Sequence, residues 1–210
     1  MSRLDNYMLN EDKRETDYNI EDMVLNIKKK CKQSLGYMKK AKSFMWRYDR
    51  TVKENDEAYK AYTRRDRRPL DTPESVHSFI DGWFKREFGW KARSNNVLFI
   101  EGRPKRSILN IMDRKSNIKQ TIVFPIGNIE FLWSPRIKDL TNDMSLEDIW
   151  YGDDEWQDLL EGNLNNAGYE DTNMKNALRS GNEIMIHCKS YYGMVLDRID
   201  EDILDELGIA

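Results

Sequence analysis

Five short apolar segments limit the folds that this chain can adopt. Each has the length of a β-strand and is bounded by polar or turn-forming residues. The segments are NVLFI, QTIVFPIG, NIEFLW, EIMIHC and YYGMVL, with a predicted turn at Gly127 and Asn128 between the second and the third. So many strand-length segments in one chain predict a sheet whose apolar residues must be covered by other elements.

Helix-forming patterns come before these segments. Apolar residues recur near the helical period over residues 20–38 and Asn19 can cap them, so we predict one long amphipathic helix that ends at about Lys42. The stretch SFMWRYDR changes period and is predicted to be a short strand. Residues 51–71 are charged and poor in aliphatic side chains, which favours a loop or an exposed helix.

Three further helices are predicted from their end signals. The stretch DTPESVHSFIDGWFKREFGW has Thr72 as N-cap, Pro73 at the first helical position and Gly89 as its stop. SLEDIW begins with a capping box at Ser145 and opens a helix that we expect to end near Leu160. TNMKNALRSG is a shorter helix that ends at a glycine.

Length and composition fit one domain. The 210 residues are 39% apolar and 34% charged, which is enough for a single core under a highly charged surface. We predict a flexible arm over residues 1–18 and a single α+β domain over residues 19–210, in which a mixed, mainly antiparallel sheet follows the long N-terminal helix and is covered by helices on one side.

The sequence also indicates which environments to expect. No segment approaches the roughly 20 apolar residues that a membrane span requires, and the first residues have no apolar signal core. We therefore expect a soluble intracellular protein with no membrane partner. Cys31 and Cys188 are isolated from each other and from paired Cys or His spacings, so we expect buried thiols, no disulfide and no metal.

Charge is divided along the chain although the net charge is only -3. Residues 28–119 hold 25 Lys and Arg against 11 Asp and Glu, whereas residues 139–206 hold 4 against 18. One interpretation is that the two segments neutralise each other across the fold. The other is that a basic surface, including the RRDRRP cluster, serves phosphate-bearing ligands, nucleic acid or self-association.

Two charged residues stand on predicted strands and are candidates for a site. Arg47 lies in FMWRYD, where a strand could hold its guanidinium still for an anion, but a surface arginine fits the same pattern. Glu183 begins EIMIHC, a position that also suits an ordinary strand-end residue. His77 lies beside the apolar face of a predicted helix and His187 lies in a predicted strand, so both are better explained as packing residues. Two histidines so distant in sequence do not establish acid-base chemistry.

Taken together, these segments resemble a known family. The order of MWRYD, VLFIEG, NEIMI and an aromatic-rich YYGMVL resembles the ADP-ribosyltransferase fold, in which a glutamate begins a late strand. The stretch RRPLDTPESVHSFIDGWFKREFGWKARSNNVLFIEG, with FPIGNIEFLWS after it, also resembles uncharacterised proteins of tailed bacteriophages.

The resemblance implies NAD⁺ as substrate. Arg47 matches the arginine that holds the dinucleotide phosphates, and Glu183 matches the catalytic glutamate that bonds the ribose hydroxyl. The cofactor-binding set is completed by Phe99 on the middle strand and by Ser94, which substitutes for the family's Ser/Thr. Gly181 stands where many arginine-modifying relatives have a second acid, which disfavours arginine as the acceptor.

The resulting expectation is a phage mono-ADP-ribosyltransferase that modifies a host protein or nucleic acid in the host cytoplasm. A second interpretation is a non-catalytic binding module that keeps the scaffold and contacts other phage proteins, for example in the virion. A weaker one is binding of single-stranded nucleic acid, since aromatic residues are interspersed with Lys and Arg. Those aromatic residues are Trp46, Trp83, Phe88 and Trp90.

Overall fold

Seven helices and eight strands are present in the residues described by the computed structural model, which are 13–16, 18–49, 52, 56–68, 72–101, 119–146 and 155–209. The strands are β1 (Lys13–Glu15), β2 (Trp46–Asp49), β3 (Ala58–Tyr62), β4 (Val97–Glu101), β5 (Lys119–Pro125), β6 (Glu130–Trp133), β7 (Glu183–His187) and β8 (Ser190–Val195). The helices are α1 (Ile20–Lys30), α2 (Lys32–Ala41), α3 (Glu74–Phe88), α4 (Leu140–Asp143), α5 (Trp156–Ala167), α6 (Met174–Ser180) and α7 (Glu201–Leu207), with a 3-10 turn at Leu196–Arg198.

These strands form one antiparallel sheet in the order β1-β3-β8-β5-β2-β4-β7-β6. The predicted mixed α+β architecture with an antiparallel sheet is thus confirmed. Where the sheet is described, β2 and β4 are joined by a single pair, Trp46 with Glu101, whereas β2 and β5 share four pairs. This weak junction divides the sheet into a five-strand half (β1, β3, β8, β5 and β2) and a three-strand half (β4, β7 and β6).

The link between β7 and β8 shows that the sheet is strongly curved. Only Cys188 and Lys189 separate the two strands, yet β7 and β8 lie in different halves of the sheet. A link this short spans about 10 Å at most, so the end of β7 and the start of β8 must lie close together. Backbone bonds hold the link from both sides: the Cys188 N–H donates to Asn96 O at 3.0 Å and the Thr63 N–H donates to Lys189 O at 3.2 Å.

Helices cover both faces of the three-strand half, so the expectation of helices on one side is wrong. Ile184 and Ile186 belong to the core cluster that contains buried residues of α1, α2, α6 and α7. Met185, which points to the opposite face, belongs to the cluster that contains buried residues of α3, α4 and α5.

The prediction of one long N-terminal helix is also wrong, because the chain breaks at Cys31 into α1 and α2. In an unbroken helix the Lys30 carbonyl would accept a bond from the Ser34 N–H. Here that carbonyl accepts from the N–H of Gly127, in the turn after β5, at 2.8 Å. The Ser34 hydroxyl donates to the Pro125 carbonyl at 3.0 Å. The turn after β5 therefore takes the carbonyl of Lys30 that would continue the helix.

The region between β2 and α3 differs from expectation as well. Residues 58–62, predicted as loop or exposed helix, form β3, whose Ala58, Tyr59 and Ala61 are buried. Thr72 is not the N-cap of α3, since the helix begins after Pro73. The predicted stop is confirmed, because Gly89 closes α3 with φ of 85°.

Three other predictions concern segments that lie partly outside the described residues or next to their limits. Ser145 has φ of 48° and follows the short helix α4, while the helix expected directly after it falls on residues 147–154, which lie outside them. The next helix, α5, runs to Ala167 rather than to Leu160. Of the predicted arm, residues 1–12 lie outside the described residues and residues 13–15 form β1, paired with β3.

Candidate functional site

The junction between the two halves of the sheet opens into a cavity of about 260 Å³. Its lining comes from both halves and from two loops, and it includes three of the four predicted site residues. The lining residues are Trp46, Arg47, Tyr48, Arg67, Phe99, Ile100, Glu101, Lys138, Asp139 and Glu183.

Arg47 is held at this cavity by contacts within the five-strand half. Its Nε lies 3.7 Å from an oxygen of Asp49, and its guanidinium carbon lies 5.6 Å from the centre of the Tyr191 ring. Asp49 is buried, is also paired with Arg14, and accepts a bond from the Tyr59 hydroxyl at 3.1 Å. The two arginines and Asp49 together carry one net positive charge, while a quarter of the Arg47 side chain stays exposed.

Glu183 is fixed at the opposite wall by backbone hydrogen bonds. Its N–H donates to Lys138 O at 2.9 Å, and its carboxylate accepts from the Leu140 N–H at 3.1 Å. Burial raises the pKa of Glu183 above its ordinary value, and the negative charge of Asp139 adds to the rise. The Leu140 bond and the positive charges of Arg93 and Arg67 act in the opposite direction.

A second carboxylate lies beside Glu183, on the neighbouring strand. Glu101 of β4 is its direct partner in the register of β4 and β7. Direct partners of an antiparallel pair share a face, with Cβ atoms about 4.5–5.5 Å apart. Sequence reasoning did not find Glu101, because neither strand by itself contains the register that brings the two acids together.

Phe99 lies two residues before Glu101 and supports a further arginine. The guanidinium carbon of Arg67 lies 4.2 Å from the centre of the Phe99 ring, a cation–π contact. The loop that contains Arg67 is anchored by two backbone bonds: the Arg67 N–H donates to Ser94 O at 3.1 Å, and the Asn96 N–H donates to Arg64 O at 2.7 Å. The RRDRRP cluster thus places one of its arginines at the cavity.

Ser94, the fourth predicted site residue, does not line the cavity. Its carbonyl contributes indirectly, through the bond from Arg67. No Ser or Thr side chain is found among the described residues that line the cavity, so the hydroxyl implied by the resemblance has no counterpart there.

Both histidines lie outside the cavity lining. His77 is buried, with Nε2 at 3.5 Å from a carboxylate oxygen of Asp81. His187 stacks on Trp90, with ring centres 5.2 Å apart, and its Nδ1 lies 2.9 Å from Glu130. Burial lowers the pKa of His77, although the nearby Asp81 opposes that effect. Neither ring is placed to take part in chemistry at the cavity.

The aromatic residues considered for nucleic-acid stacking are mainly core residues. Trp46, Trp83 and Trp90 are buried, and Phe88 packs against Trp83 with ring centres 6.0 Å apart. Both cysteines are free and buried, as predicted, and burial raises the pKa of Cys31 to about 12.

No family model, no curated protein and no solved structure matches this chain. In the portion of the chain that is described, no helix has the length and apolarity to cross a membrane. The same residues contain no group of three or more His, Cys, Asp or Glu side chains arranged to hold a metal ion.

Proposed function

We propose that this protein is an ADP-ribosyltransferase-like enzyme that uses NAD⁺ as substrate at the junction cavity. The observation that carries the proposal is that Arg47 and Glu183, far apart in sequence and on different halves of the sheet, line the same cavity. In this proposal Arg47 binds the diphosphate and Glu183 faces the ribose.

The carboxylate suits the reaction because of where charge develops. When the bond from the ribose to nicotinamide breaks, its electron pair leaves with nicotinamide and the ribose becomes positively charged. A fixed carboxylate beside the ribose stabilises that charge. An acceptor nucleophile then bonds to the ribose carbon and gives up its proton, and Glu101, opposite Glu183, is a base within the same cavity.

The cations of the cavity suit the dinucleotide's phosphates. Arg47, Arg67 and Lys138 come from three different segments, and guanidinium groups bind phosphate oxygens in a bidentate, permanently charged manner. The cavity volume of about 260 Å³ is slightly below the roughly 300–1,000 Å³ of typical ligand pockets. We therefore assign the cavity to the nicotinamide riboside end and expect the adenosine end to lie outside it.

The acceptor and the biological setting rest on the resemblance described above. We propose a host macromolecule as the acceptor, modified by a bacteriophage protein in the host cytoplasm. Gly181, two residues before Glu183, supplies no second acid, so we do not propose an arginine side chain as the acceptor.

A non-catalytic function is the second candidate, and one observation favours it. The described lining of the cavity contains no Ser or Thr hydroxyl to steady the glutamate. A binding or virion-associated protein could keep the cleft without turning over NAD⁺. Detection of the chain at fixed stoichiometry in purified phage particles, with no nicotinamide release, would support this candidate over the enzyme.

The proposed function is tested by NAD⁺ binding and nicotinamide release with water as acceptor. Glu183→Gln should lower the rate of release by about 10²–10³-fold, the usual effect of removing one electrostatic group from a reacting centre, while calorimetry still detects NAD⁺ binding. The matched control is Glu130→Gln, which changes the exposed first residue of β6, paired with His187 at the far end of β7. No heat of binding at millimolar NAD⁺ with wild-type protein would contradict the proposal.

A further inference from the structure

Arg93 is a buried arginine that lies close to the cavity without lining it. Only 4% of its surface is exposed. Its N–H donates to Asp81 at 2.9 Å, and its guanidinium Nη2 donates to the hydroxyl oxygens of Thr72 at 3.1 Å and Thr141 at 3.4 Å. One side chain therefore ties the start of α3 to the first turn of α4.

That first turn of α4 also holds Glu183. The Leu140 N–H donates to the Glu183 carboxylate, and the next residue, Thr141, accepts from Arg93. The carboxylate and the guanidinium are thus anchored on adjacent residues of the same turn. A displacement of Arg93 would move the group that positions the carboxylate.

The hydrogen bonds of Arg93 do not by themselves explain why an arginine is buried here. Its Nε is buried and has no hydrogen-bond partner among the described residues. A buried donor without a partner destabilises the fold. Burial lowers the pKa of Arg93, with Glu183 as the strongest opposing charge, but a guanidinium stays protonated in proteins. The attraction between the positive charge of Arg93 and the half-buried carboxylate of Glu183 offsets the cost of the unpartnered Nε.

We propose that Arg93 is a positioning residue, which fixes the first turn of α4 around Glu183 and supplies the buried positive charge that balances its carboxylate. The inference rests on the proposed function only in assigning a reaction to Glu183. Its physical content is the charge state of that acid, which can be measured without NAD⁺.

Other charged groups also act on Glu183. Asp139 disfavours its ionisation, whereas Arg67 favours it from a loop at the cavity. Arg93 differs from Arg67 because it is enclosed by protein and cannot be displaced by a ligand. The groups that face Glu183 are Arg67, Arg93, Glu101, Lys138, Asp139 and Tyr169.

The test is the titration of the Glu183 carboxyl carbon by NMR, assigned with Glu183→Gln. In wild-type protein we expect the carboxyl to be ionised at pH 7. Arg93→Gln, which removes the charge, should raise the measured pKa of Glu183 by about 1 unit or more, whereas Arg93→Lys should raise it less. Arg86→Gln is the control, because Arg86 is an exposed arginine of α3 that pairs with Glu161.

Two results would overturn the inference. One is a Glu183 carboxyl that is already protonated at pH 7 in wild-type protein. The other is an unchanged Glu183 titration in a folded Arg93→Gln variant. If Arg93→Gln does not fold, Thr141→Val replaces it: that variant keeps the charge but removes an anchor, and it should shift the titration in the same direction by a smaller amount.

The enzymatic readout separates this inference from the proposed function. If wild-type protein releases nicotinamide, the acidic limb of its rate profile should move with the Glu183 titration in the Arg93 variants. If it releases none, the proposed function fails, and the NMR titration still decides whether Arg93 sets the charge of Glu183.

Discussion

The charge of Glu183 should make this residue a source of instability in the folded protein. Because burial raises its pKa in the folded state, ionised Glu183 destabilises the fold at every pH above the folded-state pKa, and this cost is lost as the pH falls below the unfolded-state value. Glu183→Gln should therefore raise the Tm by a few degrees at pH 8, where about 1 kcal/mol corresponds to roughly 2–4 °C. The gain should shrink toward pH 4.

Differential scanning calorimetry at both pH values checks this prediction. Glu130→Gln is again the control, since that acid is exposed, and its Tm should follow wild type. A Tm for Glu183→Gln below that of wild type at pH 8 would show that the ionised carboxylate stabilises the fold, contrary to the expectation.

Arg67 provides a test of the proposed diphosphate site at the cavity. Its guanidinium packs on Phe99 at the cavity, and charge-assisted hydrogen bonds are worth about 1.5–3 kcal/mol. If the diphosphate of NAD⁺ binds there, Arg67→Met should weaken NAD⁺ binding by roughly 10–100-fold in calorimetry. Arg64→Met changes an arginine of the same loop that pairs with Asp66 outside the cavity, and it should leave the affinity unchanged. Equal effects of the two variants would argue for a general loss of positive charge.

At the scale of elements, the close packing of β3 on β8 depends on one glycine. Gly193 is the register partner of Tyr59, and a Cβ at this position would overlap the Tyr59 ring. Tyr59 cannot move freely, because it is buried and its hydroxyl bonds Asp49 beside Arg47. We expect Gly193→Ala to lower the free energy of unfolding by about 1–3 kcal/mol, measured by urea denaturation.

The control for this change lies in α3. A Cβ at Gly82 meets no atom within 4 Å, and replacing a glycine inside a helix with alanine is stabilising by roughly 0.5–1 kcal/mol. Gly82→Ala should therefore move the urea midpoint upward. A Gly193→Ala variant as stable as wild type would mean that β8 can shift away from Tyr59.

Helix ends that are marked by a glycine could be predicted from the sequence, and elements set by distant contacts could not. Gly89 and Gly181 end their helices as predicted, because a left-handed glycine is a local requirement. The break at Cys31 depends on Gly127, which is distant in sequence. β3 was missed because its buried residues, which are Ala58, Tyr59 and Ala61, are interrupted by Lys60 and do not form an apolar run. The strand is specified by its pairing with β8.

The residues of the candidate site also divide into those that the sequence suggests and those that only the fold brings together. Arg47 and Glu183 stand on strands that the sequence could suggest, and both line the cavity. Glu101 reaches the cavity through strand register, and Arg67 reaches it through a loop that bonds Ser94 and Asn96. Arg93 does not line the cavity and is connected to Glu183 through a buried network. None of these three placements follows from the spacing of residues along the chain.

For the molecule as a whole, the basic and the acidic segments meet in part. Two ion pairs join the basic segment (residues 28–119) to the acidic one (residues 139–206). Lys28 pairs with Glu206 at 2.7 Å, and Arg86 pairs with Glu161. All four side chains are substantially exposed, and ion pairs between exposed side chains contribute little to stability. Neutralisation across the fold is therefore observed at these two places, while the stability of the fold must come mainly from its core.

The first described residues of the chain reinforce the site from the far edge of the sheet. Arg14 of β1 pairs with the buried Asp49 and lies over the Tyr59 ring at 4.6 Å. Asp49 in turn contacts Arg47. The N-terminal strand thus determines how strongly Asp49 attracts the arginine that we assign to the diphosphate.

Arg14→Met should test this connection between the sheet edge and the site. Removing one partner of a buried ion pair costs about 3–5 kcal/mol, and because Arg47 can still neutralise Asp49, we expect a value near the lower end. Closer engagement of Arg47 with Asp49 should also weaken NAD⁺ binding. Lys60→Met is the matched control. Lys60 of β3 also pairs with β1, through Glu15 at 3.4 Å, but that pair is partly exposed, so its loss should change the free energy of unfolding much less. Urea unfolding and calorimetry measure the two effects, and equal losses in both variants would mean that Arg14 acts only by holding β1 on the sheet.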